Sequence, residues 1–462
     1  TEQLKLKLND SKATRWGALV IVAFTMMAAY YVNDVVAPLK TMLETDLAWS
    51  STDFGFFTGS YSFLNVFFLM LIWGGLILDR FGIRFTGKLA TILMVGGTAL
   101  EYYAMTGLAG ADATLFGINE IFGYKTGVFV AFAGYSIFGV GAEVAGITVS
   151  KIIAKWFKGK ELATAMGVQV ALARIGSQAG YAVAIPLARA FGISTPVLLG
   201  LVLLLGGMVA FFIFAVMDKK LDRQMEVAAI AAGAEDEEEK FSFKDVKNIL
   251  VNPGFWLIAL LCVLFYSCVF PFQKFASELM IIKYGINENV AGTFAGLPAL
   301  GALILTPVFG GFIDKRGKSA SIMLLGSAML ICVHFIYAIP DINYWLVAIV
   351  LMIILGIAFS LVPSAMWPAV AKIFPVSQLG TAYALIFFIQ NIGLWGIPTL
   401  IGWVLDAYCI SGKKPDGTNM YDYMVPMCIF TGIACLSLVV ALLLKKADKK
   451  YGYKLEEPNI QK

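Results

Sequence analysis

Two charged residues interrupt stretches that are otherwise apolar. Glu143 falls in the run from 122 to 150, and Arg174 in the run from 161 to 188. A charge at the centre of a membrane-spanning helix costs at least about 2.5–3.5 kcal/mol on insertion scales, so each is a candidate functional group. Counted from Lys155 and Glu161 in the short polar turn between the two runs, both lie roughly 18–20 Å into the apolar layer at 1.5 Å rise per residue. They share a depth on consecutive antiparallel spans. A Glu143–Arg174 salt bridge that only fastens two helices is one reading. The other is a site for a ligand carrying both signs, because two charges that are each costly to bury are an inefficient way to pack helices.

The other ionisable residues singled out inside the apolar runs are Asp34, Glu101, Lys274, Glu278 and His334. Asp34 falls in the outer third of the first span, as a gate or an interfacial residue. Lys274 and Glu278 stand at i, i+4, and a mutual ion pair on one helix face is expected of them. Phe270-Pro271-Phe272 just before them predicts a helix break of the kind that lines transport pathways. Trp367-Pro368 can kink its helix and present an aromatic wall. His334 is read as a packing residue. No Gly-rich phosphate loop, zinc-ligand cluster or nucleophile–base pair appears, so ATP-driven pumping and catalysis have no basis in the sequence.

Elements of one kind must position these groups. Of the 462 residues, 59% are hydrophobic and 14% charged, far from the balance of a soluble domain. A bilayer core about 30 Å thick needs roughly 20 apolar residues per helix. Such stretches are continuous here, without the alternation of barrel strands. They predict spans near 16–39, 54–78, 86–108, 122–150, 161–188, 193–217, 254–282, 290–313, 320–339, 343–371, 377–405 and 424–445. The first follows a charged tail and is too long for a signal-peptide core, so it reads as a span. Basic residues gather in the N-terminal tail, in alternate loops (Arg80, Arg84, Lys88; Lys155, Lys158, Lys160; Lys315, Arg316, Lys318) and in the C-terminal tail, which places both termini in the cytoplasm. Residues 218–252 form a polar linker with the acidic run Glu235 to Glu239, between an N-terminal half (1–217) and a C-terminal half (253–462). The six cysteines lack metal spacing and read as small packing residues.

The halves are related. Gly75-Leu76-Ile77-Leu78-Asp79-Arg80-Phe81-Gly82 recurs as Gly310-Gly311-Phe312-Ile313-Asp314-Lys315-Arg316-Gly317, and Ala154-Lys155-Trp156-Phe157 as Ala371-Lys372-Ile373-Phe374. In the second register Ser360 stands opposite Glu143 and Asn391 opposite Arg174, so the C-terminal half offers neutral polar groups, Gln390 and Asn391, where the N-terminal half offers charges. The repeated loop resembles the signature of the major facilitator superfamily, and implies an all-α polytopic protein of twelve helices in two pseudo-symmetric halves around a midplane site. Gly75 and Gly82 would permit close helix approach and a tight turn. Asp79 would meet the N-terminal end of a neighbouring helix, with Arg80, Asp314 and Lys315 completing a cytoplasmic gate.

Trp156-Phe157-Lys158-Gly159-Lys160-Glu161-Leu162, Ala173-Arg174-Ile175-Gly176-Ser177, Trp367-Pro368 and Gln390-Asn391-Ile392-Gly393-Leu394 resemble the lysosomal dipeptide uniporter branch of that superfamily. The resemblance implies that Glu143 holds a dipeptide's ammonium and Arg174 its carboxylate, with Asp34 at a matching acidic position, whereas Lys274 and Glu278 depart from the family's pattern in the seventh span. Lys274, Trp367, Gln390 and Asn391 are expected to bind ligand from their places in the spans. It also implies uniport, with no ion obligatorily coupled; a monomer with no cofactor and no nucleic-acid partner is expected. A proton-coupled symporter, a small-carboxylate exchanger using Arg174 and Lys274, and a non-transporting nutrient sensor are the competing readings. The only glycosylation sequon, Asn9-Asp10-Ser11, lies in the predicted cytoplasmic tail, which favours a bacterial inner membrane.

Overall fold

In a bilayer the backbone must satisfy its own hydrogen bonds, so long apolar stretches without alternation close into helices. The computed structural model, which describes residues 7–110, 113–157, 160–232 and 243–458, follows that rule. Its helices are α1 (Lys12–Val35), α2 (Lys40–Leu47), α3 (Ser51–Phe67), α4 (Met70–Thr106), α5 (Thr126–Trp156), α6 (Leu162–Phe191), α7 (Thr195–Ala232), α8 (Phe243–Val251), α9 (Pro253–Tyr284), α10 (Glu288–Ala295), α11 (Leu297–Arg316), α12 (Ser319–Ala338), α13 (Trp345–Ile373), α14 (Val376–Tyr408) and α15 (Met424–Tyr451). Two short hairpins interrupt them. β1 (Glu120–Ile121) pairs with β2 (Tyr124–Lys125), and β3 (Ile410–Lys413) with β4 (Asn419–Tyr421).

These elements make twelve spans. Among the described residues, nine stretches are long and apolar enough to cross a membrane unaided, and α3 with α4 forms a further pair bent by 58°. Helix α4 is itself two legs, because Gly82 inside it has φ 75° and ψ 175° and breaks the helical run. Helix α6 completes the set. Its hydropathy is lowered by Gln169 and Arg174, which line the cavity described below, by Ser177, which donates to Asp34, and by Gln178, which donates to the Thr293 carbonyl of the other half. Gly317, the repeat counterpart of Gly82, also has positive φ (69°). Both copies of the motif therefore spend a glycine on the same turn, for which a side chain would be strained.

Several expectations need correction. The second span is not a single rod over 54–78 but breaks at Phe68 and Leu69, where Leu69 has φ 53°. The first span runs past residue 39 through a 3-10 turn, Ala37–Leu39, into α2. Helix α9 continues through Pro271 with no break. Helix α7 extends to Ala232 and α8 follows the undescribed segment, so much of the stretch read as linker is helical. The acidic run at 235–239 lies outside the described residues.

Among the described residues, the close backbone contacts between the halves cluster at one face. On the face opposite the termini, a Cβ on Gly55 of α3 would lie 2.4 Å from the carbonyl of Pro398 and 2.9 Å from Gly402 Cα of α14, and one on Gly292 of α10 would lie 2.3 Å from the carbonyl of Tyr181 of α6. Only glycine allows backbones to approach this closely. On the termini face the pattern reverses: a Cβ on Gly75 or Gly311 would meet nothing within 4 Å, so the close approach expected of Gly75 is not made here. The molecule is closed at the far face and open towards its termini.

Candidate functional site

Between the halves lies a cavity of about 450 Å³, a usual size for a small-molecule site. Its N-terminal-half wall comes from α1, α3, α5 and α6, and its other wall from α9, α13 and α14. Glu143, Arg174, Lys274, Trp367, Gln390 and Asn391, six of the seven residues expected to bind ligand, line it. Ser150 and Val170, which line it too, lie on the side of the termini, where the cavity opens.

Glu143 and Arg174 are not locked together. Glu143 accepts a 3.0 Å hydrogen bond from the Tyr61 hydroxyl, its one hydrogen bond among the described residues. Arg174 forms no ion pair among the described residues; its guanidinium lies over the rings of Phe359 at 4.9 Å and Tyr30 at 5.6 Å from the centroids. Aromatic faces accommodate a guanidinium without neutralising it, which leaves its fork of donors free for a planar anion. The reading of these two residues as a helix fastener is therefore overturned. Tyr30 and Tyr61 were not singled out in the sequence, where aromatic residues are too common in spans to signal a role.

Apart from Lys274, the opposite wall is aromatic and neutral. Trp367 stacks on Phe387, with centroids 4.8 Å apart, and its indole N–H donates to the Tyr266 hydroxyl at 3.3 Å. Asn391 donates to the Phe387 carbonyl at 2.9 Å, and its Oδ1 has no partner. An unsatisfied acceptor beside a cavity is available to a ligand donor.

Lys274 and Glu278 do not pair with each other, against expectation. Both reach into the N-terminal half. Lys274 Nζ lies 3.1 Å from Asp34 Oδ1 and 2.6 Å from the Asn33 carbonyl, and Glu278 accepts from Lys40 at 2.5 Å. Asp34, the seventh expected residue, sits behind the lining, where Ser177 also donates to it at 2.6 Å. Lys40 and Lys414 each meet both Glu44 and Glu278, at 2.5 Å and 3.4 Å respectively, which closes a buried ring of two cations and two carboxylates across the far face. Tyr423 donates to Glu278 at 2.5 Å and Ser51 to Glu44 at 3.2 Å.

At the termini face Asp79 pairs with Lys151 at 3.1 Å, within its own half, and not with a helix N-terminus. Arg80 lies over the Phe81 ring. Asp314 and Lys315 occupy the last turn of α11. His334 is buried, 3.0 Å from the Cys268 carbonyl and stacked on Phe430, remote from the cavity lining.

Two six-helix halves around a charged cavity match a known family model over residues 19–398, that of the Major Facilitator Superfamily. The chain belongs to that superfamily. It is an integral membrane transporter of small molecules, not an enzyme. Its relatives include the lysosomal dipeptide transporter MFSD1 of Homo sapiens, 28% identical over 95% of this chain and 88% of the relative, and that of Gallus gallus, 32% identical over 67% of each. Solved structures of similar fold include the nucleoside transporter NupG (TM-score 0.69, 12% identity, 92% of this chain and 98% of that one). Another is a bacterial homologue of the human lysosomal transporter Spinster, inward-facing and unoccupied (TM-score 0.65, 14% identity, 98% and 99%). At these identities the structures speak for the superfamily fold alone.

Proposed function

We propose that the chain is a dipeptide uniporter that works by alternating access, its halves (1–217 and 253–462) rocking about the cavity while 218–252 tethers them. Glu143 takes the ligand's ammonium and Arg174 its carboxylate. What carries this reading is that the two residues face one cavity with opposite charges and, among the described residues, no ionic partner each. A free zwitterion supplies both missing partners at once, and clamping only the ends of a dipeptide leaves the side chains loosely selected. Trp367, Gln390 and Asn391 form the neutral wall against which the ligand's middle rests. The MFSD1 relatives support the substrate class. We place the protein as a monomer in a bacterial inner membrane with both termini in the cytoplasm, so that the cavity is open to the cytoplasm.

The test is a panel of dipeptides, tripeptides, amino acids and dicarboxylates scored by thermal stabilisation of the purified protein and by counterflow in liposomes. Dipeptides should stabilise wild type and Glu143→Gln should abolish the effect. Stabilisation by dicarboxylates alone, preserved in Glu143→Gln, would mean a carboxylate exchanger, and binding without flux would mean a sensor.

One observation favours proton coupling as a second reading. Glu101 of α4 is fully buried with neither carboxyl oxygen hydrogen-bonded, a group that a proton could enter and leave as the halves move. Uptake that follows an imposed proton gradient, and that Glu101→Gln uncouples, would select that reading over uniport.

A further inference from the structure

Lys274 and Glu278 project one turn apart from α9, and their partners Asp34 and Lys40 flank the 3-10 turn Ala37–Leu39 of the other half. The charges are crossed. Going outward, the C-terminal half presents a cation and then an anion, and the N-terminal half an anion and then a cation. The two layers differ in what can reach them. The outer one is sealed: the side chains of Lys40 and Glu278 are 1% and 0% exposed, neither lines the cavity, and Lys414, Glu44 and Tyr423 surround them. The inner one touches the cavity through Lys274 alone, because Asp34 lies behind the lining.

The inner pair can part without stranding a carboxylate. Asp34 also accepts from Ser177 at 2.6 Å and from the Asn33 side chain at 2.9 Å, so it keeps two donors when Lys274 leaves. Among the described residues Lys274 makes no second ion pair; its other contacts are the Asn33 carbonyl at 2.6 Å and the Tyr135 hydroxyl at 3.5 Å, and beyond them it feels the buried carboxylate of Glu101. An ammonium so buried moves only towards another anion. Glu101 is fixed in the protein on α4 and does not line the cavity, so an anion that comes and goes reaches Lys274 from the cavity side. A cationic ligand group there meets like charge, and the carboxylate that would attract it is screened behind the ammonium.

We propose that Lys274 is a subsite for an anionic side chain of the ligand, and that engaging it draws the ammonium from Asp34 and so releases the inner of the two ion-pair layers that hold the far face shut. This rests on the dipeptide reading, with the backbone ends held by Glu143 and Arg174 and the side chain directed towards Lys274. Dipeptides with an acidic side chain then do two things that neutral ones do not: they fill the subsite and they unlatch the halves.

The experiment compares Ala-Glu with its near-isostere Ala-Gln in counterflow by reconstituted wild type and by the double variant Asp34→Asn/Lys274→Gln, which removes both charges together and leaves neither unpaired. Wild type should exchange Ala-Glu faster than Ala-Gln by roughly fivefold or more, the low end of usual couplings between sites. The double variant should bring the ratio to about one. Equal rates in wild type overturn the proposal, and so does a ratio that survives in the variant. Those outcomes leave the dipeptide reading standing, whereas failure of wild type to move either compound sinks both. Should the double variant not fold, Lys274→Met, which leaves Asp34 its Ser177 and Asn33 donors, takes its place: a ratio of about one supports the proposal and a surviving ratio overturns it.

Discussion

Tyr61 of α3 gives its hydroxyl hydrogen to Glu143 of α5 across 3.0 Å. That bond ties the orientation of the ammonium-binding carboxylate to the packing of two helices in the same half. Hydrogen bonds to charged groups contribute about 1.5–3 kcal/mol when a partner is removed. Tyr61→Phe should therefore lower the thermal stability of the empty protein and, because the carboxylate is no longer aimed, also weaken dipeptide binding by roughly tenfold. Titration calorimetry with one dipeptide checks it, and an affinity equal to that of wild type would show that Tyr61 does not aim the carboxylate.

Arg174 rests on two ring faces, and its charge is matched by no carboxylate among the described residues. Lysine keeps the charge but neither the flat stacking surface nor the two-pronged donor set. Arg174→Lys should retain measurable binding of dipeptides but lose about tenfold or more in affinity, while Arg174→Met should lose binding altogether. Equal loss in both variants would mean that geometry, and not charge, is what the ligand carboxylate requires.

The far-face ring of Lys40, Glu44, Glu278 and Lys414 is neutral as a whole and almost wholly buried. Lys40→Met leaves two carboxylates facing one ammonium, and an uncompensated charge of this kind costs about 3–5 kcal/mol. Lys40→Met/Glu278→Leu leaves one carboxylate with one ammonium, neutral again. The double variant should melt above the single one in a thermal denaturation series, against the usual rule that losses accumulate. Simple additivity would show that the four charges do not act as one unit.

Much of this arrangement was legible before any coordinates. Long apolar runs have one stable solution in lipid, so most of the spans fall close to their expected bounds, the first, second and sixth excepted, and depth counted from charged loops brings Glu143 and Arg174 to the same cavity. What failed has a common cause. Lys274 and Glu278 were matched to each other because i, i+4 spacing is visible along one helix, whereas their partners, Asp34 and Lys40, lie in another helix of the other half. Lys40 and Glu44 look like ordinary interfacial residues at the end of a span, and Lys414 like a loop lysine, until the turn at Ala37–Leu39 and the β3–β4 hairpin fold them together. The proline at 271 predicted a break that the packed helix absorbs.

Closure of the far face depends on glycine at the contact between α3 and α14. A Cβ at position 55 would stand 2.4 Å from the carbonyl oxygen of Pro398 and 2.9 Å from Gly402 Cα, both main-chain atoms that cannot swing aside. A valine there cannot fit while the far face is shut, although it fits readily once the halves part. Gly55→Val should thus shift the resting population from the termini-open form towards the far-face-open form without unfolding either half, since the clash is between halves. Spin labels at Asp46→Cys and Tyr408→Cys, introduced with the native cysteines replaced, would read this as a longer distance in the valine variant. Counterflow should fall at the same time, because a carrier that cannot close one side cannot complete its cycle. An unchanged label distance with unchanged flux would mean that α3 and α14 slide past the added side chain, and the close glycine contact would then not be what shuts the far face.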